Sequence, residues 1–107
     1  GFSIIKEDGK DAILDYEVLK RDEKENKTLV KISLKTGRHH QIRVQFAYHG
    51  HPLCGDQRYG KQDKTQIPLY AYRLEFIHPT TKEKLIFKKL PPKKGYWTKF
   101  TVSKYVQ

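Results

Sequence analysis

An α+β domain, built as a mainly antiparallel sheet with one short helix, is predicted by three features of this 107-residue sequence. Apolar residues alternate over 12–19 and again over 28–35. A single segment, 38–49, has helical spacing. Two further alternating segments, 69–78 and 84–90, follow a loop rich in glycine and proline.

Ala12, Leu14, Tyr16 and Val18 share one face of the first strand. The polar stretch 21–27 reads as a turn. The second strand then puts Val30, Ile32 and Leu34 on one face, with Lys31, Ser33 and Lys35 on the other. Thr36-Gly37 interrupts it and supplies the N-cap of a helix over 38–49, which Gly50 ends. Residues 51–67 are loop-like, punctuated by Pro52, Gly55 and Gly60, with Pro68 next. Tyr70, Tyr72, Leu74 and Phe76 line one face of the third strand. Pro79-Thr80-Thr81-Lys82 is a turn into an antiparallel fourth strand, which Pro91-Pro92 ends. Residues 97–102 suggest a last short strand.

Composition sets the function classes. The length suits one domain, large enough to bury roughly two-thirds of its unfolded surface, and the 12% aromatic content supports a core despite a mean hydropathy of -0.81. No run of about 18 apolar residues exists, so no membrane-spanning helix and no membrane partner are expected. The lone Cys54 cannot form an internal disulfide, which suits a cytoplasmic location. The net charge of +10 is uneven: residues 1–26 carry eight acids against five bases, and the remainder seventeen bases against four acids. Such a surface attracts polyanions and favours counterion release from phosphates.

One residue stands out on a helical wheel of 38–49. Gln41, Gln45 and His49 form a polar stripe. Ile42 and Phe46 lie on one side of it, and Val44, Ala47 and Tyr48 on the other. Arg43 falls opposite Gln45, between the apolar arcs. A half-buried guanidinium there needs a carboxylate or several acceptors. It could pair with an acid of this chain or reach water along its stem. The acids cluster in the polar first 26 residues and none stands out as its partner, which directs attention outside the chain.

At this point the residues resemble a known family. Leu34-Lys35-Thr36-Gly37-Arg38-His39-His40-Gln41-Ile42-Arg43-Val44, then Gly50-His51-Pro52-Leu53-Cys54-Gly55-Asp56, then Tyr59-Gly60, are similar to the signature of RluA-type RNA pseudouridine synthases. That signature runs L-x-TGR-x-HQIRVH, then GHP-[IL]-x-GD-x-x-YG. Leu69-Tyr70-Ala71, Leu74, His78-Pro79 and Leu85-Ile86-Phe87 resemble its downstream segments. The sequence departs at Gln45 and Tyr70, where the family has histidine.

The resemblance implies that residues 1–107 are a single partial domain, the C-terminal half of a pseudouridine synthase catalytic domain. Uridine in structured RNA is flipped into a pocket. An aspartate attacks the nucleotide, the glycosidic bond breaks, and the base rejoins through carbon. No metal or organic cofactor is implied. The family aspartate sits in an HRLD-x-x-TSG-like motif. None of the six aspartates here has that context. The fragment alone is therefore expected to be inactive.

The resemblance makes Arg43 the partner of that absent aspartate, since a planar guanidinium keeps a carboxylate ionised and oriented. Arg38, His40, Lys61 and Lys88 are the expected RNA contacts, Arg38 at a helix N-terminus suited to phosphate. Thr36, Gly37, Gln41, Gly55, Asp56 and Tyr59 are expected to hold the motif's shape, with Gly37 serving backbone geometry and Asp56 accepting backbone donors in its loop. The histidines and Cys54 lack metal-ligand spacing, and His39 and His40 point about 100° apart on a helix. Ribosomal large-subunit RNA is the commonest substrate in the family and transfer RNA the next. Two other readings stay open: a non-catalytic RNA-binding module, and a basic domain that binds acidic proteins. Self-association through an exposed apolar face is also expected.

Overall fold

A computed structural model describes residues 2–7, 10–56, 58–60 and 67–106. It comprises two compact units, Gly1–Ile67 and Pro68–Gln107.

The first unit is a three-stranded antiparallel sheet with one helix. The strands are β1 (Phe2–Glu7), β2 (Lys10–Asp22) and β3 (Lys27–Leu34), in the order β1-β2-β3. The hairpin expected from the two alternating segments is present, with Leu14, Tyr16 and Val18 opposite Leu34, Ile32 and Val30. The register slips between Val18 and Lys20, which leaves Leu19 as an extra residue. The slip moves burial in β3. Leu29 is buried whereas Leu34, at the far end, is half exposed, so the expected apolar face of β3 does not hold along its length. Leu14 and Ala12 are the buried centre of β2. On its polar side, Lys31 pairs with Glu17 directly across the ladder at 3.3 Å.

The helix α1 runs Gln41–Tyr48, three residues shorter at its start than the spacing predicted. His40 is the N-cap and takes a left-handed φ of 52°, which the helix cannot propagate through. Neither Thr36 nor Gly37 is the cap. Gly50 does end the helix: its N–H donates to Ala47 O, and the N–H of His51 donates to Phe46 O at 2.8 Å. That pairing needs a left-handed residue after the C-cap, and Gly50 has φ 81°.

Of the polar stripe, Gln41 and Gln45 face inward, while His49, just past α1, is exposed. Gln41 and Gln45 are both buried. β3 pairs with β2 no further than Leu14, and Lys35 and Thr36 extend the contact by donating their N–H groups to Ile13 O at 3.0 and 3.3 Å. Gln45 Nε2 donates to Ala12 O and Gln41 Nε2 to Ile13 O, each at 3.1 Å. Phe46 then packs edge-on against Tyr16 at 5.6 Å. This docking puts Arg43 on the side of the helix away from the strand.

The second unit holds the hairpin of β4 (Arg73–Ile77) and β5 (Lys84–Lys88). His78 organises its turn, with Nδ1 accepting the N–H groups of Thr80 and Thr81. Leu74 and Phe76 face Phe87 and Leu85 across the ladder, and Phe76 stacks on Phe87. The last segment is not a strand: Gly95–Lys99 and Val102–Lys104 are 3₁₀ turns. Gly95 enters at φ 60° and Thr98 Oγ returns to the Gly95 carbonyl, both local choices that compete with a ladder. Among the described residues, no helix is long and apolar enough to cross a membrane.

Candidate active-site arginine and its support

The site grows from the segment between β3 and α1. Thr36 Oγ1 accepts the N–H of Ile13 at 2.8 Å and donates to Gln41 Oε1 at 2.7 Å. The same Gln41 oxygen accepts the N–H of Arg38 at 2.9 Å. One glutamine therefore ties residues 36–38 to the strand and sets the helix start. Arg38 Nε donates to the carbonyl of Asp11, so this side chain is engaged by β2 on one edge and is otherwise exposed. Gly37 is exposed, with open space where a side chain would go and no left-handed φ. Its expected role in backbone geometry finds no steric basis.

His39 and His40 precede the helix, so their rings are not splayed as helical neighbours. They stack at 3.8 Å between centroids. The next ring, Tyr59, meets His40 edge-on, with its hydroxyl 3.4 Å from His40 Nδ1. Arginine has only donors, so the contact of Arg43 NH1 with His40 Nε2 at 3.4 Å makes that nitrogen the acceptor. Burial, His39, Arg43 and Arg58 all hold the His40 pKa below 6.5.

Arg43 has a partner in the chain, contrary to the expectation from the wheel. Asp56 takes it along one edge: Nε to Oδ2 at 3.1 Å and NH2 to Oδ1 at 2.9 Å. The Asp56 side chain is fully buried, while that of Arg43 keeps 21% exposure. The Tyr59 ring lies 5.2 Å from the guanidinium carbon, within cation–π range. Asp56 Oδ1 also accepts the N–H groups of Arg58 and Tyr59, each at 3.2 Å. The Arg43 bond, then these backbone donors, pull the Asp56 pKa below the usual carboxylate value. The same bond raises that of Arg43.

The loop that delivers Asp56 is built for it. The turn from Leu53 closes through Asp56 N–H to Leu53 O, with Gly55 at φ 71°. A second closure runs from Gly60 N–H to Asp56 O at 2.8 Å. Arg38, Thr36, Gln41, His40, Arg43, Asp56 and Tyr59 thus belong to one unit. Lys88 lies in the other, exposed in β5 opposite Arg73. Lys61 falls outside the described residues. A sequence signal for Asp56 did exist: it is the one acid between Glu25 and Asp63. No three His, Cys, Asp or Glu side chains among the described residues come together as a metal site.

Residues 2–48 match a family model described as RNA pseudouridylate synthase. An uncharacterized RNA pseudouridine synthase of Aquifex aeolicus is 43% identical over 95 residues, covering 78% of this chain and 30% of the relative. A dual-specificity RNA pseudouridine synthase RluA of Pasteurella multocida is 44% identical over 89 residues, covering 79% and 40%. The ribosomal large subunit pseudouridine synthase C of Buchnera aphidicola is 48% identical over 68 residues, covering 54% and 22%. The chain therefore spans well under half the length of each of these relatives.

Proposed function

Since the chain belongs to the RNA pseudouridine synthase family, we propose that it is the C-terminal part of a catalytic domain that isomerises uridine in structured RNA. The observation that carries this is Arg43. Its Nε/NH2 edge is held by buried Asp56, and its NH1 is turned to His40. A guanidinium has a second edge, NH1/NH2, able to take another carboxylate. That carboxylate is the nucleophilic aspartate, carried elsewhere in the full-length polypeptide. Arg43 keeps it ionised and aimed at the nucleotide. The N1–C1′ bond breaks, C5 bonds to C1′, and the C5 hydrogen leaves to solvent as N1 gains a proton.

Arg38, His40, Lys61 and Lys88 supply contacts to RNA in this reading, supported by the charge of +10. Large-subunit ribosomal RNA is the favoured substrate, in keeping with the name of the Buchnera relative, and transfer RNA is second. The cytoplasm is the matching location.

Release of tritium from uracil C5 of labelled RNA tests the proposal. The full-length protein releases it, its Arg43→Ala variant releases it far more slowly but measurably, and residues 1–107 alone do not. Tritium release by residues 1–107, or by the full-length Arg43→Ala variant at the parent rate, would overturn it.

Asp56 also favours a second reading. Because Arg43 is already paired within the chain, the arginine has a structural role without any external carboxylate. A non-catalytic RNA-binding module would then bind RNA with a steep salt dependence and release no tritium even at full length.

A further inference from the structure

The Asp56 carboxylate has more partners than a loop cap requires. Both backbone donors, from Arg58 and Tyr59, end on Oδ1. Oδ2 is given to Arg43 Nε. One neutral oxygen would satisfy the loop; the second oxygen and the charge serve the guanidinium. The hold is also rigid. The backbone of Asp56 is fixed on both sides, by its N–H to Leu53 O and by its carbonyl to Gly60 N–H. The Tyr59 ring lies 5.2 Å from the guanidinium carbon. Arg43 is thus constrained along one edge and by an aromatic neighbour, while the side chain as a whole keeps 21% exposure.

We propose that Asp56 is a positioning residue for the isomerisation, acting through Arg43 alone. It spends one edge of the guanidinium to fix its plane, so that the opposite edge meets the reacting carboxylate in a single orientation. A free arginine side chain would sample several rotamers and lose that preorganisation. The Arg43–Asp56 pair is close to neutral as a unit, so its contribution to the second carboxylate is geometric more than coulombic. This inference rests on the reading of Arg43 given under Proposed function.

Asparagine separates the two roles of Asp56. Asp56→Asn keeps an oxygen for the Arg58 and Tyr59 donors but turns an NH2 group towards Arg43 Nε–H, donor against donor. In the full-length protein, Asp56→Asn is expected to lower kcat on the order of 10²-fold, the penalty of a misplaced group, with KM for RNA unchanged. In an Arg43→Ala background, the same change is expected to have no further effect. Full kcat in Asp56→Asn beside a crippled Arg43→Ala overturns the positioning role and leaves the reading of Arg43 intact. An equal loss from Asp56→Asn in both backgrounds also overturns it, because Asp56 would then act on the loop. Full activity in Arg43→Ala overturns the reading beneath it. Should Asp56→Asn not fold, the parent protein still decides. Its Arg43 Nε–H proton is expected to exchange slowly with water, and exchange as fast as in an exposed arginine overturns the hold.

Discussion

Gly60 lies so close to Pro52 that a methyl group on it would sit 2.9 Å from Pro52 Cβ and 3.1 Å from the Asp56 carbonyl oxygen. Backbone and a ring bound it, and neither can swing away. This approach closes the loop that carries Asp56, together with the bond from Gly60 N–H to Asp56 O.

Gly60→Ala is therefore expected to destabilise the fold by about 1–3 kcal/mol, the range for overpacking a tight site. Gly37→Ala is the control. With open space around Gly37 and no left-handed φ, it is expected to be neutral or to stabilise by up to about 1 kcal/mol. Urea midpoints of the two variants should separate in that order. Equal midpoints would refute the close contact at Gly60.

Gln45→Leu removes a buried donor while preserving much of the volume. The Ala12 carbonyl loses its 3.1 Å bond, and the expected loss is about 1–3 kcal/mol of unfolding free energy. An unchanged thermal midpoint would mean that the glutamine does not serve the strand.

Stability should fall with acid in two steps. The His40 pKa is lowered, so the unfolded chain takes up protons first. The stability linked to His40 is full above its ordinary value of 6.5 and is lost as pH drops through its lower folded value. The Asp56 pKa is also lowered, by Arg43 first, so its contribution is full above the ordinary carboxylate value and is lost below about pH 4. Thermal midpoints recorded from pH 7 downward check this. His40→Gln should flatten the upper step alone. A midpoint that rose as pH fell from 7 to 5 would contradict the sign for His40, and one that rose as pH fell below about 4 would contradict the sign for Asp56.

The hairpin of the second unit leaves Leu74, Phe76 and Phe87 exposed at 60%, 39% and 57% on one face. Residues 1–107 are therefore expected to self-associate as concentration rises. Sedimentation should show a growing dimer, weakened by Phe87→Ser. A monomer at all soluble concentrations would remove this expectation.

Much of this was legible from residue order, for identifiable reasons. Strict alternation in β2 and β3 marked the hairpin, with Leu14, Tyr16 and Val18 opposite Leu34, Ile32 and Val30, although burial along β3 does not follow that face. Gly50 marked the helix end because left-handed backbone there selects glycine. β1 escaped notice: Ile4 and Ile5 are adjacent and break the alternation, and its place comes from pairing with β2. The inward turn of Gln41 and Gln45 was hidden for a different reason. A wheel sends polar residues to water, and the strand carbonyls that receive these amides lie 28 and 33 positions away in the sequence. The Arg43–Asp56 pair spans 13 positions and depends on two loop closures that spacing does not encode. The catalytic role proposed for Arg43 comes from family resemblance, not from the wheel.

The glutamines of α1 carry a consequence for how the protein fails. Past Leu34, the edge of β2 is covered by the N–H groups of Lys35 and Thr36 on Ile13 O and by side chains of the segment that follows, and an uncovered strand edge is where a neighbouring chain can dock and seed aggregation. Arg38 and Gln41 add side-chain donors to the carbonyls of Asp11 and Ile13, and Gln45 holds the helix to Ala12 O. Loss of these side chains would thus do more than weaken the fold. It would open a templating edge, and the damage would grow with protein concentration rather than with temperature alone.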